Sequence, residues 1–270
     1  MNYETLHIEK RGSADWVTFN RPDRLNTLNH RMIDELLHYF GELTMDHATR
    51  VVVLRGAGRA YCAGLDLDNN SGSEKAYELD GNGPAEMLRL QRRISEIVMR
   101  MRRCPQPIVS LVHGPACGGG FAFALASDIR IAGESARMNA AFIRLGLSAC
   151  DIGVSYFLPR MVGVSVASEL MMTGRFIHAD RALRIGLVSE VVPDAHLEQA
   201  GSAYVDDLLA TAPLGLRLTK ECLNHSVNAS SLEAAVAMED RNQVLCLHTQ
   251  DFKEGVAAFM EKRPPRYANT

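Results

Sequence analysis

The chain has 270 residues, of which 47% are hydrophobic and 23% charged, and a net charge of −3. That is the composition of a globular protein with a substantial core, large enough for one big domain or a domain plus an appendage. It excludes a disordered or collagen-like chain and argues against nucleic-acid binding through bulk positive charge.

The N-terminal MNYETLHIEKRG has no apolar signal core. No apolar run approaches the ~18 residues needed to span a bilayer. Both point to a cytoplasmic protein with no membrane partner. LHIEKRG and DWVTFNR read as two short strands joined by a turn at Gly12 and Ser13. Asn29 suits the cap of a helix whose Met32, Ile33, Leu36, Leu37, Phe40 and Leu43 recur at helical spacing. VVVLRG is a continuous apolar run of the kind buried on both faces. Residues 68–84, polar and Gly-rich, are expected to form a mobile surface loop.

From Pro84 a long helix is predicted, with Met87, Leu90, Ile94, Ile97, Val98 and Met101 as its apolar stripe and Pro105 and Pro107 as its stop. Its arginines at 89, 92, 93, 100, 102 and 103 are expected on a solvated face. PIVSLV is a further buried strand, leading into HGPACGGGFAFALAS, a glycine turn that becomes a helix. DIRIA is the next strand. Helices near 152–172 and 179–185 precede a last strand around LVSEVV. Beyond Pro193 the helical period alone remains, over 195–211, 213–224, 231–246 and 250–262. The chain is therefore expected to divide into an α/β core, residues 1–194, and a helical region, residues 195–270.

The six cysteines, Cys62, Cys104, Cys117, Cys150, Cys222 and Cys246, are scattered without metal-ligand spacing, and are expected as reduced thiols with no metal site. The chemistry concentrates in two glycine turns, GRAYCAGLDL over 58–67 and HGPACGGGFAFA over 113–124, each following a buried strand. A helix starting at the GGG of 118–120 presents N–H groups without intrahelical acceptors, at its positive dipole end. A phosphate loop is excluded, since no Lys-Ser or Lys-Thr follows. The dinucleotide fingerprint fails because its last glycine falls on Phe123, and no G-x-S-x-G elbow is present. The remaining alternatives at this point are an anion-holding backbone and tight helix–strand packing.

Together the two turns resemble the crotonase, or enoyl-CoA hydratase/isomerase, family. The resemblance extends over FNRPDRLNTLN, RAYCAGLDL, VHGPACGGGFAFALASDIRIA, GLSACDIGVSYFLPRMVG, TGRFIHADRALRIGLVSEVVP and AFMEKRPPRY, in the family's order. It implies an α/β fold, a spiral of β-β-α units with a helical C-terminal trimerisation region, assembled as a homotrimer or a hexamer. It also implies an acyl-CoA thioester as substrate and no cofactor beyond the coenzyme A that belongs to that substrate. The N–H groups of Leu65 and Gly119 would hold the thioester oxygen. Arg24, Leu25, Ala63, Asp66 and Leu67 would contact the coenzyme, as would Phe259 and Lys262, often across a subunit boundary.

The chain departs from the hydratase pattern. The two glutamates that share acid–base work fall at Ala122 and Phe142. Asp151, in GLSACDIGVSY, stands near the carboxylate that isomerase-type members carry, within a stretch one residue longer. It is either a proton shuttle or the cap of a helix beginning near Ile152. Asp66 is expected to brace its turn through neighbouring backbone, Asp128 to partner backbone or an arginine, and His113 to be satisfied structure. Glu86 and Asp80 border the loop and are candidates to enter the site on closure. The expected activity is double-bond isomerisation of an enoyl-CoA through Asp151. Hydration by an unlocated carboxylate, or a non-catalytic coenzyme A-binding scaffold, are the alternatives.

Overall fold

The computed structural model describes residues 2–67 and 83–269. Strands β1 (Leu6–Arg11) and β2 (Ala14–Phe19) form the expected hairpin, turning at Gly12, and Asn29 caps α1 (His30–Glu42) by accepting from Met32 N at 2.9 Å. There follow β3 (Val51–Gly56), α2 (Pro84–Arg103), β4 (Ile108–Val112), β5 (Pro115–Cys117), α3 (Gly119–Ala126), β6 (Ile129–Gly133) and β7 (Arg137–Asn139). Then come α4 (Val154–Val162), α5 (Val164–Thr173), β8 (Ile177–His178), α6 (Ala179–Arg184) and β9 (Glu190–Val192). The chain closes with α7 (Leu197–Leu209), α8 (Pro213–Ser226), α9 (Leu232–Leu247) and α10 (Gln250–Glu261). The helical stretch near 152–172 is two helices, broken at Gly163, whose φ of +79° ends the first. The short β5 and β7 escape a sequence reading because three residues carry no periodicity. The expected loop 68–84, with Asp80, lies outside the described residues except for its last two.

Six strands form one sheet in the order β1-β2-β3-β4-β6-β9, in which only β1 and β2 are antiparallel. Successive side chains of a strand face opposite sides, so Val52 and Leu54 enter the core beneath α1, α2 and α3. Val51 and Val53 join Trp16, Val109, Leu111 and Ile131 against Leu197 and Val205 of α7. Both faces are covered, which is why VVVL reads as unbroken apolar sequence. A small second sheet runs β5-β7-β8.

The arginines of α2 are not uniformly solvated. Arg100 donates to the Leu37 carbonyl of α1, and Arg102 pairs with Asp128 at 3.0 Å and bonds Asn224 of α8. Asp128 also accepts from Ile108 N and from the buried Lys220 at 2.9 Å, so it locks α8 onto the sheet. Helical spacing placed these side chains outward from α2's own core stripe, and neighbouring helices cover that face. No helix among the described residues is long and apolar enough to cross a membrane.

Candidate active site

The two glycine turns leave the C-terminal ends of the adjacent parallel strands β3 and β4, the end at which open α/β sheets bind ligands. Tyr61 N bonds His113 O, Cys62 N bonds Pro115 O and Cys117 N returns to Cys62 O, so the turns run on as a short parallel ladder. On its other side this ladder meets the RPDRLN turn, where Ala63 N bonds Leu25 O and Leu28 N bonds Gly64 O. The close approach explains the glycines. A methyl at Gly120 would sit 2.0 Å from the Cys62 carbonyl oxygen. At Gly64, with φ of +100°, it would sit 2.9 Å from the Cys117 oxygen and 3.6 Å from Gly119 N.

This packing aims two main-chain donors. Leu28 bridges Leu65 in parallel, using Gly64 O and Asp66 N, so the N–H of Leu65 turns away from Leu28. Gly119 is the first residue of α3, where an N–H has no intrahelical acceptor. Among the described residues neither N–H has a hydrogen-bond acceptor. Two such donors, on turns that pack together at Gly64 and Gly119, suit an oxygen on which negative charge develops. Nearby thiols do not compete as nucleophiles at neutral pH: burial pushes Cys62 up to about 12 and Cys117 up to about 11.

Ala122 and Phe142 are both buried and carry nothing that titrates. The Phe142 ring covers Gly118, 3.4 Å from where a methyl there would be. Ile152 packs over the same turn, its Cδ1 3.8 Å from the Cβ position of Gly119. The preceding residue is Asp151, half-buried, and burial raises its carboxyl above the ordinary Asp range against two hydrogen bonds that lower it. Asp151 does not cap α4. The helix starts at Val154, its cap residue is Gly153, and no side chain caps it. Instead Asp151 Oδ1 accepts from Ile152 N at 2.8 Å and from Gln91 Nε2 of α2. Ile152 holds φ of +34°, costly for a β-branched residue.

The remaining expected residues divide. Arg24 and Leu25 are brought beside Ala63 by the Ala63–Leu25 bond, and Leu67, which follows Asp66 in the chain, is exposed. Asp66 is buried and its Oδ2 accepts from the Arg21 guanidinium at 2.8 Å, an ion pair across the turn, while its main-chain N–H donates to Leu28 O. His113 bonds Gly58 O through Nε2 at 2.9 Å and is structural, as expected. Glu86 is exposed at the start of α2. Phe259 on α10 and Lys262, which caps its C-terminal end, are exposed, and among the described residues no hydrogen bond or ion pair ties them to the turns. Arg21, Gln91 and Asn26 were missed. Asn26 is fully buried, donating to Ala57 O and Ala60 O, and it shapes the RPDRLN turn. The signal for Gln91 was its polar side chain on the stripe Met87, Gln91, Ile94, Val98, Met101. Among the described residues no three His, Cys, Asp or Glu side chains converge as a metal site.

The family model for enoyl-CoA hydratase/isomerase matches residues 9–270. The chain is 39% identical to a "probable enoyl-CoA hydratase" of Mycobacterium tuberculosis, over 94% of this chain and 88% of that protein. It is 34% identical to the 1,2-epoxyphenylacetyl-CoA isomerase of Escherichia coli, over 99% of this chain and 98% of that protein. The crystal structure of an enoyl-CoA hydratase from Bacillus anthracis superposes with a TM-score of 0.91 at 31% identity, covering 99% of this chain and 100% of that one.

Proposed function

The chain belongs to the enoyl-CoA hydratase/isomerase family, an acyl-CoA enzyme on the crotonase fold, and from that premise we propose that it moves a carbon–carbon double bond within an enoyl-CoA. The observation that carries this reading is the position of Asp151. It is a half-buried carboxyl one residue from Ile152, which packs on the Gly119 turn, while the two hydratase glutamate positions hold Ala122 and Phe142.

In the proposed reaction the thioester carbonyl oxygen accepts from Leu65 N and Gly119 N. The Asp151 carboxylate takes a proton from C2 of a 3-enoyl-CoA: the C2–H bond breaks, an O–H bond forms, and the electron pair passes through C1 to the oxygen as a dienolate. The dienolate collapses as Asp151 returns the proton to C4, leaving C2=C3 and a regenerated carboxylate. Backbone donors fixed toward the developing charge lower the barrier because they need no reorganisation. No cofactor takes part beyond the coenzyme A of the substrate. We assign the coenzyme to the surface of Arg24, Leu25, Ala63 and Leu67, which Asp66 supports through Arg21. Phe259 and Lys262 would reach it from a second copy of the chain.

Asp151→Asn keeps the acceptor for both donors and removes the base. Turnover of a 3-enoyl-CoA to the 2-enoyl isomer should fall at least ~10²-fold, the low end for general acid–base catalysis, with little change in thioester affinity. Unchanged isomerisation in this variant would remove Asp151 from the mechanism. Fast hydration of a 2-enoyl-CoA, indifferent to the change, would establish the hydratase reading instead.

A further inference from the structure

We propose that Gln91 is the positioning residue of the site: together with Ile152 N–H it ties down Oδ1 of Asp151 and leaves Oδ2 as the oxygen that carries the proton. This rests on the reading of Asp151 as the base. Both hydrogen bonds to the carboxyl end on the same atom, Oδ1, and among the described residues none reaches Oδ2. Burial raises the proton affinity of the group, and these two bonds lower it.

The chemistry of a shuttle explains why the two donors share one oxygen. An oxygen accepting two N–H bonds is the weaker base of the pair, so the proton from C2 goes to Oδ2. Once Oδ2 is protonated, Oδ1 is the carbonyl oxygen of the acid and remains an acceptor. The bonds from Gln91 and Ile152 therefore persist in both halves of the cycle, and the carboxyl keeps its orientation between C2 and C4. A neutral amide suits the task. Lys or Arg in its place would hold the carboxylate charged and make it a poor base, whereas Gln91 gives direction and no net charge. Its backbone is anchored by the buried Ile94, Ile97 and Val98 on the following turns of α2. The left-handed backbone of Ile152 turns its N–H onto the carboxyl of its own neighbour.

The test measures kcat, KM and the pH profile for isomerisation of a 3-enoyl-CoA by Gln91→Leu and the isosteric Gln91→Glu, beside Asp151→Asn, with circular dichroism to confirm folding. Gln91→Leu should lower kcat about ten- to hundredfold, the scale of one hydrogen bond to a charged group, at nearly constant KM. It should also move the acid limb of the profile upward, because a bond favouring the carboxylate is gone. Gln91→Glu should move that limb further, since two carboxyls then share the site. A merely structural Gln91 would not move the acid limb. Wild-type kcat and acid limb in both Gln91 variants, with Asp151→Asn inactive, would overturn the positioning role alone. Full activity in Asp151→Asn would overturn the base assignment and this inference with it.

Discussion

A half-buried carboxyl with no ion pair among the described residues should leave a mark on stability as well as on rate. The folded protein holds the proton of Asp151 more tightly than the unfolded chain does. Its carboxyl therefore favours folding in acid, and that advantage is lost as pH rises through the raised folded value. Asn cannot titrate and keeps the acceptor for Gln91 and Ile152. Asp151→Asn should melt at an equal or higher temperature than the wild type at neutral pH. The difference should shrink to nothing below the ordinary Asp range, as followed by calorimetry across pH. A variant less stable at neutral pH would show that the charge is welcome in its surroundings. At this scale glycine spacing marks the two turns, because it records where backbone must turn or approach, whereas the choice of Leu65 and Gly119 within them comes from the family resemblance. The sequence marks Gln91 only as a polar side chain on an apolar stripe and does not give its partner, which lies 60 positions further on and meets it only through folding.

Among the elements, the joint between α2, the sheet and α8 bears the most on stability. Lys220 is buried to 6% exposure, with Asp128, Met101 O and Gln106 O around its ammonium. Asp128→Ala strands that cation and frees Arg102, and should cost about 3 kcal/mol, the low end for breaking a buried pair. Lys220→Met should cost less, because it takes the charge away and leaves Asp128 with Arg102 and Ile108 N. Denaturant unfolding of the two variants checks the order, and the reverse order would refute this account. Asp128 was expected to be a structural partner of backbone or arginine, and it is both. The arginines of α2 were misjudged in part because periodicity marks a helix's own buried stripe and not what later helices lay across the opposite face.

On the scale of the molecule, the N-terminal hairpin, the parallel strands of the six-stranded sheet and the long helices of the described residues are legible in the sequence, though not the break between α4 and α5. The division expected at residue 195 is crossed by packing, since Leu197 and Val205 of α7 belong to the core on the sheet's second face. Leu232 on α9 is 75% exposed and Phe259 on α10 81%, with Val244 and Leu247 also open. Large apolar side chains left open on both helices are what a partner surface would cover. The chain is expected to self-associate as a trimer or hexamer, with Val244→Asp and Leu247→Asp together shifting it toward monomer. Light scattering at micromolar concentration measures this directly, and a wild-type monomer would refute it.

The donors of Leu65 and Gly119 are peptide groups, and no particular codon encodes a peptide group. Mutation can exchange acids and bases around such donors without touching them, so the proposed hold on a thioester oxygen would be inherited with the chain path itself. In such a site heredity fixes the class of ligand, and point substitution is free to change the reaction performed on it.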